Sequence, residues 1–252
     1  MKLAFVCVLI GGALFFSGRY GMNRMPIAEN LTNRLAKEPI QVPIQSGVQT
    51  GDPAPIRLTF RDKNYELIPR AEYSLEGLIV SQHRSDSAFD LMHKRTGDFL
   101  NIQDICTVWG RTLSSGLYRD IKFWSGDWTC NFQASAENFA AIKFDEIANN
   151  HILAKDETIR KTLEGLEKGD EIRIRGKLVD YQIEGLGLRK TSLVRNDTGN
   201  GACEILYVEA VEVLKSHQRA WRHVRDAGYW LALAAITWIV GLMGYTVFLK
   251  RA

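Results

Sequence analysis

The chain has few cysteines and almost no net charge, and these shortages exclude several classes of protein. Four cysteines occur in 252 residues and none forms a CxxC pair, so we expect no metal site and no cofactor. The net charge is +3, with 32 lysines and arginines against 29 aspartates and glutamates. Such an even balance lacks the basic footprint of a nucleic-acid-binding protein, so no nucleic acid is expected as a partner.

The few cysteines leave two redox states open. Cys7 lies in an apolar segment, so Cys106, Cys130 and Cys203 belong to the more polar part of the chain. One disulfide, for example Cys130–Cys203, fits an oxidising compartment. Three reduced and buried cysteines fit as well, because a free cysteine behaves as a small hydrophobic residue.

Long apolar runs are missing from the middle of the chain and occur only near its two ends. Leu3–Gly18 has 16 residues without a charge, and Ala227–Leu249 has 23. A membrane-spanning helix needs about 20 predominantly apolar residues. The second run therefore predicts a transmembrane helix over residues 227–249, and the first falls just below the threshold. The part between them is expected to be held at a membrane, with membrane lipids as one partner.

The N-terminal run has the form of a signal peptide, with Lys2 before an apolar stretch. Cleavage after Ser17 or Gly18 would put a phenylalanine at a position that requires a small residue. The pattern favours an uncleaved signal anchor over residues 1–20, and a cleaved signal is the alternative.

The C-terminal run has the features of a membrane span along its whole length. Tyr229, Trp230 and Tyr245 lie near its ends, as aromatic residues do at membrane–water interfaces, and two basic residues follow it. Thr237 and Gly241 form one small-xxx-small spacing, a pattern that can bring helices together. A single pair of this kind is also expected by chance on a lipid-facing surface.

The charges beside the two runs and the signal-like start predict opposite orientations. Seven basic residues lie close to the runs on the side of the intervening domain, against three at the termini. The positive-inside rule then places the domain in the cytoplasm. A two-residue leader, however, normally stays inside while the following chain is exported, and long domains translocate largely regardless of charge. We therefore favour a periplasmic domain on a bacterial inner membrane, with a cytoplasmic domain as the alternative.

Prolines are scarce outside one segment of the chain. Five of the six fall in residues 26–55, where aromatic residues are absent. Proline interrupts helices and central strands. Residues 21–56 are therefore predicted to form a semi-extended linker, and residues 215–226 a basic segment next to the membrane.

Residues 57–214 show the patterns of a β-rich domain. Asp170–Tyr181 alternates most clearly, and Gly176 in its interior predicts a bulge or bend. Asp156 is placed to cap a helix that ends just before Gly169. Short segments rich in β-branched or aromatic residues, separated by turn residues, predict further strands. These strands are Tyr73–Val80, Ile105–Trp109, Ile121–Trp124, Trp128–Phe132, Arg189–Arg195 and Ala202–Leu214.

The order of these elements predicts a mainly β fold of the α+β class, with one or two helices. A helix that leads into a strand of the form Ile-x-Ile-x-Gly-x-Leu is similar to small, partly open β-barrels of the OB type. This similarity concerns the fold and does not determine a function.

Four sequence stretches form a recognisable set: Tyr65–Tyr73, Asp104–Gly110, Asn149–Asp156 and Arg195–Glu204, the last reading RNDTGNGACE. Together they resemble a family of uncharacterised proteobacterial proteins with a short N-terminal membrane segment and one β-rich domain. The resemblance covers about residues 60–210. This chain has Ala154 where the family has proline, and it carries a C-terminal apolar run that most members lack. The resemblance implies no activity, because none is established for the family.

Two patterns point to a hydrolase. Asp197 lies in a DTG tripeptide like that of aspartic proteases, which need two such carboxylates. No second copy occurs, so a homodimer would have to supply it, and a turn is the simpler interpretation. Cys130 or Cys203 together with His151 would form a nucleophile and its base. Otherwise, His151 is expected to be a hydrogen-bonded residue of the core or of a turn.

Aromatic and basic residues are candidates for binding. A ligand groove and a hydrophobic core are both compatible with the tryptophans. The candidate ligand-binding residues are Trp109, Trp124, Trp128 and Arg195. Four basic residues at helical spacing before the C-terminal run would contact anionic lipids or form a solvated collar. These candidate lipid-contacting residues are Lys215, Arg219, Arg222 and Arg225.

The patterns together favour a membrane-anchored, non-enzymatic binding or assembly module, with a protein partner or a second copy of the chain. This interpretation depends on the two anchors, the linker and the lack of a convincing catalytic set. The alternative is a membrane-bound hydrolase that uses Asp197 or a Cys130/Cys203–His151 arrangement.

Overall fold

The structure is a computed structural model, and the chain in it divides into two units. It describes residues 2–32, 40–43, 54–85, 96–126, 128–194, 199 and 203–251, with the backbone alone for residues 40–43 and 247–251. One unit consists of residues 1–25 and 217–252, and the other of residues 26–216.

Within the described residues the chain forms five α-helices and nine strands. The helices are α1 (Lys2–Met22), α2 (Gly110–Ser114), α3 (Ala136–Ala141), α4 (Glu157–Glu164) and α5 (Arg219–Arg251). The strands are β1 (Ile40–Pro43), β2 (Ile56–Phe60), β3 (Lys63–Arg84), β4 (Asn101–Val108), β5 (Lys122–Gly126), β6 (Thr129–Gln133), β7 (Ile147–Leu153), β8 (Asp170–Ile183) and β9 (Glu204–Ser216).

Helices α1 and α5 form the first unit, and both are long and apolar enough to cross a membrane. Their backbones approach closely at glycines. A Cβ atom added to Gly11 would lie 2.7 Å from the backbone nitrogen of Ala232, and one added to Gly228 would lie 2.6 Å from the backbone oxygen of Gly11. Small residues at such contacts are the usual way in which membrane helices pack. The two helices therefore pack against each other through these glycines.

The small-xxx-small pair noted in the sequence lies away from this helix contact. A Cβ atom added to Gly241 would meet no described atom within 4 Å. Thr237 and Gly241 instead line an open groove with Trp230 and Trp238, both of which are exposed. This spacing therefore does not pack α1 against α5.

Five strands of the second unit form a partly ring-like sheet. β3 pairs with β4, β4 with β7, β7 with β9 and β9 with β8, and β8 pairs back onto β3. β7 and β9 run parallel, and the other four pairs are antiparallel. β1 and β2 also pair with β3, and β5 and β6 form a separate hairpin. The chain as a whole is thus mixed α/β with a large, mainly β sheet, which agrees in part with the predicted mainly β fold of the α+β class.

The inner side of the ring-like sheet holds the main hydrophobic core. Its buried residues include Leu75, Ile105, Ile152, Ile174 and Leu206, one from each of the five strands. Because side chains alternate along a strand, the neighbours of these residues project from the outer side. The candidate functional residues on β4 and β7 belong to that outer side.

The bulge predicted at Gly176 is confirmed. The register between β8 and β9 shifts between Arg175 and Gly176. A Cβ atom at residue 176 would overlap the backbone carbonyl of Tyr207 on the neighbouring strand. Only glycine therefore allows β9 to approach β8 closely enough at this bend.

The helix predicted after Asp156 forms, but it is shorter than expected. One carboxylate oxygen of Asp156 accepts hydrogen bonds from the backbone N–H groups of Thr158 and Ile159, each at 2.9 Å. Such a cap stabilises a helix by about 1 kcal/mol. α4 ends at Glu164 with Gly165 at its C-cap, so the prediction that it extends almost to Gly169 is wrong.

Two other predictions about secondary structure are corrected. The expected strand Arg189–Arg195 does not form over the described residues 189–194, where Arg189 makes a single bridge to Tyr181. Part of the predicted linker is not a free tether, because Ile40–Pro43 pairs with Ala71–Ser74 as β1. β1 lies at the end of the strand order, and an edge strand tolerates proline.

Candidate active site

The outer faces of three neighbouring strands bring Asp104, His151 and Cys203 together. Asp104 on β4 lies opposite His151 on β7. β9 runs parallel to β7, with Ile205 opposite His151. Cys203 immediately precedes β9 and, two residues before Ile205, projects from the same face as His151. On this face Asp104 lies directly opposite His151, and Cys203 is a diagonal neighbour of His151.

His151 is held by the carboxylate and lies close to the sulfur. Its Nδ1 lies 2.6 Å from Oδ1 of Asp104, and both side chains are buried. Cys203 lies close enough to the imidazole to influence the pKa of His151. Burial lowers the pKa of His151, but the charge and hydrogen bond of Asp104, helped by Cys203, outweigh it and raise the pKa to about 10. The imidazole is thus protonated at neutral pH.

Asp104 receives two further hydrogen bonds besides that of His151. The backbone N–H of Trp128 donates to Oδ2 at 2.7 Å, and Nδ2 of Asn101 donates to Oδ1 at 3.4 Å. A buried carboxylate is costly unless its oxygens are hydrogen-bonded, and these donors provide that compensation. As a result, the carboxylate fixes the orientation of the imidazole.

Cys203 is a free, half-buried thiol with two more polar neighbours. Its Sγ lies 3.5 Å from Nδ2 of Asn149 and 3.5 Å from the backbone oxygen of Trp128. Oδ1 of Asn149 is buried and has no hydrogen-bond partner among the described residues. The amide N–H group of Asn149 thus lies beside the sulfur. If the sulfur attacked a carbonyl carbon, the carbonyl oxygen would become negative close to this donor.

Trp128 connects the β5–β6 turn to this group of residues. Its φ of +59° lies in the left-handed region, which costs a bulky residue about 1 to 3 kcal/mol. Its N–H contacts Asp104 and its carbonyl contacts Cys203, while its ring stacks 4.1 Å from the guanidinium carbon of Arg189. Arg189 is held in turn by the hydroxyl of Tyr181 at 2.7 Å. These contacts keep Trp128 in its strained conformation.

The disulfide differs from the example given by the sequence analysis. Cys106 on β4 is bonded to Cys130 on β6. A Cys130–Cys203 bond is therefore wrong for this structure, and Cys130 has no free thiol to act with His151. The sequence also predicted Cys203 as the nucleophile beside His151, and these two residues do lie close together.

The remaining candidates for catalysis and ligand binding do not form a second site among the described residues. Asp197 and Arg195 lie outside the described residues. Trp109 is fully buried in the core, and Trp124 is 45% exposed on β5. Of the predicted tryptophans, only Trp128 contacts Cys203.

The spacing of the four candidate lipid-contacting residues predicted that they share one helix face, but they do not all belong to a helix. Lys215 belongs to β9, where its Nζ donates to the backbone oxygen of Asn30. Arg219, Arg222 and Arg225 lie on α5, which begins at Arg219. The strand extends to Ser216 because β9 pairs with β8 up to that residue.

Sequence reasoning missed Asp104 and Asn149 as members of the site. One signal was available, because Asp104 opens a stretch of strand-forming residues and acidic residues are almost never fully buried without a partner. A second signal was Asn149-Asn150-His151, three polar residues between apolar ones in what is now β7. Neither signal identifies which residue pairs with which, because Asp104 and His151 are 47 residues apart in the chain.

No protein-family model, curated protein or solved structure matches the chain. The site itself consists of a free thiol near an imidazole that a carboxylate orients.

Proposed function

We propose that the domain is a thiol hydrolase in which Cys203 attacks an ester or thioester. The observation that carries the proposal is the grouping of Asp104, His151 and Cys203 on one face of the sheet, with the imidazole 2.6 Å from the carboxylate and close to the thiol. A nucleophile beside an imidazole that a third group orients recurs in hydrolases on unrelated folds. The proposal keeps the hydrolase alternative of the sequence analysis but assigns it to Cys203.

The residues of the site have distinct roles in this reaction. The thiolate is the nucleophilic form of a cysteine. The thiolate attacks the carbonyl carbon while Nδ2 of Asn149 donates to the oxygen that becomes negative. His151 gives its proton to the leaving group, and water then cleaves the acyl–sulfur bond with the neutral imidazole as base. Asp104 holds the imidazole in position throughout.

Acylation of Cys203 tests the proposal. The full chain in detergent is expected to release p-nitrophenol from p-nitrophenyl acetate in a burst, with the acetyl group on Cys203 in peptide mass spectra. Cys203→Ala is expected to abolish the burst, and His151→Gln to slow acylation by about 10²- to 10⁴-fold. Cys7→Ala removes the other free thiol and is expected to leave the burst unchanged.

Two results would contradict a hydrolase at this site. The first is a burst that persists in Cys203→Ala. The second is acetylation of Cys203 in the wild-type chain that is no faster than that of N-acetylcysteine at the same pH.

We also propose that the ring-like sheet is an OB-type barrel. Its support is the pairing order β3, β4, β7, β9, β8 with β7 and β9 parallel, and α4 between β7 and β8. OB folds bind ligands on the face of their second and third strands and with the loop between the fourth and fifth. The counterparts here are β4, β7 and the segment that ends at Cys203. An experimental structure in which β8 does not pair with β3 would exclude this barrel.

We propose that α1 and α5 anchor the domain in a bacterial inner membrane, with the domain in the periplasm. The Cys106–Cys130 bond supports this side, because disulfides persist in oxidising compartments. Acid trapping of thiols in cells, followed by disulfide mapping, is expected to recover the two cysteines bonded. Recovery of both as free thiols would instead place the domain in the cytoplasm.

A binding or assembly module is the second candidate function, and an exposed aromatic cluster favours it. Phe132, Phe139 and Phe144 pack with ring centroids 5.4 to 6.2 Å apart, and Phe139 is 52% exposed. Exposed aromatic surface is typical of protein contact sites. A photo-crosslinker at position 139 is expected to capture a protein or a second copy in membranes, and no capture would count against this candidate.

A further inference from the structure

The three cysteines of the domain lie on one face of the sheet. Cys106 on β4 is opposite Asn149 on β7, so their side chains project from the same side. Nδ2 of Asn149 in turn lies 3.5 Å from Sγ of Cys203. The row Cys106–Asn149–Cys203 therefore runs beside the row Asp104–His151–Ile205, and the disulfide and the free thiol share one surface.

Cys106 and Cys203 are too far apart to bond to each other. They belong to strands on either side of β7, and neighbouring strands are about 4.8 Å apart. Their Cα atoms are thus separated by about 10 Å, whereas a disulfide needs less than about 7 Å. Because β4, β7 and β9 are joined by continuous pairing, this separation cannot shorten without breaking the sheet.

The chain segment that leads into Cys130 lies against Cys203. Sγ of Cys203 lies 3.5 Å from the backbone oxygen of Trp128, which is two residues before Cys130. Cys130 belongs to the β5–β6 hairpin, which is a separate two-stranded sheet and lies over this face through its bond to Cys106. Movement of the hairpin over this face would leave the pairing of the ring-like sheet intact, but it would break the 2.8 Å contact between the hydroxyls of Ser81 and Ser125.

We infer that Cys203 is an exchange thiol for the Cys106–Cys130 disulfide and that it attacks Sγ of Cys130. The thiolate of Cys203 forms the new Cys130–Cys203 bond, the Cys106–Cys130 bond breaks, and Cys106 leaves with the electron pair. Cys106 then takes up a proton in place of the one that Cys203 lost. One disulfide and one thiol are present before and after the exchange, so no oxidant or reductant is needed. This thiol–disulfide exchange goes beyond the proposed hydrolase and does not depend on it. After the exchange, Cys203 is bonded to Cys130 and can no longer act as the nucleophile of the hydrolase.

Two matched variants of the full chain test the exchange, each in a Cys7→Ser background. Cys106→Ser and Cys130→Ser each leave two cysteines in the domain. After reduction and treatment with oxidised glutathione in detergent, Cys106→Ser is expected to form a Cys130–Cys203 bond. Cys130→Ser is expected to form no bond between Cys106 and Cys203. Non-reducing digestion and mass spectrometry identify the linked peptides.

The wild-type chain supplies a second test that does not depend on the folding of these variants. The chain is incubated at pH 8, quenched with acid and alkylated under denaturing conditions. We expect a fraction in which Cys106 is alkylated and Cys130 is linked to Cys203. The same fraction is expected to be absent from Cys203→Ser. Absence of the Cys130–Cys203 peptide from both the wild type and Cys106→Ser overturns the inference, as does a Cys106–Cys203 bond in Cys130→Ser. Because neither readout involves an ester, failure here is distinct from failure of the hydrolase.

Discussion

Gly176→Ala is expected to lower the free energy of unfolding by at least about 4 kcal/mol, a loss found only for a few kinds of substitution. An added Cβ atom would overlap the backbone carbonyl of Tyr207. The obstacle is backbone on both sides, so no side-chain rotation relieves it. β8 and β9 would have to separate at the bulge between Arg175 and Gly176. That separation would open the ring-like sheet and expose its core.

Gly187→Ala is the matched control for this substitution. A Cβ atom added at Gly187 would meet no described atom within 4 Å, so its effect is expected to stay within about 0.5 kcal/mol. Urea unfolding of the full chain in detergent, followed by near-ultraviolet circular dichroism, measures both variants. Equal midpoints for the two variants would show that the close approach at Gly176 does not limit stability.

Asp104→Ala is expected to lower the free energy of unfolding at pH 7 by about 3 to 5 kcal/mol, because it removes one partner of a buried ion pair. Asp104 compensates the charge of His151 and accepts the N–H of Trp128. Without it, the imidazole loses the interaction that keeps it protonated. The exposed pair Arg57–Glu66 is the control, and Glu66→Ala is expected to cost less than about 1 kcal/mol. A loss for Asp104→Ala no greater than that for Glu66→Ala would contradict the buried pair.

The same pair predicts how stability depends on pH. The pKa of His151 is about 10 in the folded chain, against 6.5 for an unperturbed histidine. Between these values the folded state binds more protons than the unfolded state, so its stability falls as the pH rises. The stabilisation from His151 is therefore complete below about pH 6.5 and lost as the pH passes through about 10. Asp104→Asn is expected to remove this slope, and an unchanged slope would contradict the assignment.

Features that depend on neighbouring residues were predictable from the sequence. The alternation in Asp170–Tyr181 predicted β8, and Gly176 predicted its bulge, because a strand has a period of two and glycine allows a close approach. The cap at Asp156 was predictable because its acceptors and donors lie within three residues. The end of α4 was not, because the chain turns at Gly165 to begin the path into β8.

The polar site could be predicted only in part. The sequence singled out Cys203 and His151 as one of several pairings, but nothing local distinguished it from Cys130 with His151. The choice was made by the pairing of β7 with β4 and β9, which brings Asp104 and Cys203 to His151. The bond between Cys106 and Cys130 likewise depends on where the β5–β6 hairpin lies.

The amino-acid sequence by itself determined that two apolar segments flank a β-rich domain, because hydropathy and strand period are properties of consecutive residues. Only the tertiary structure decided which glycines pack α1 against α5, and which cysteine is free beside a protonated imidazole. Asn149 and Cys203 are 54 residues apart in the chain, and their contact exists because β7 and β9 are neighbours in the sheet. Which residues meet in this way depends on the order of the strands in the sheet, and no local sequence pattern encodes that order.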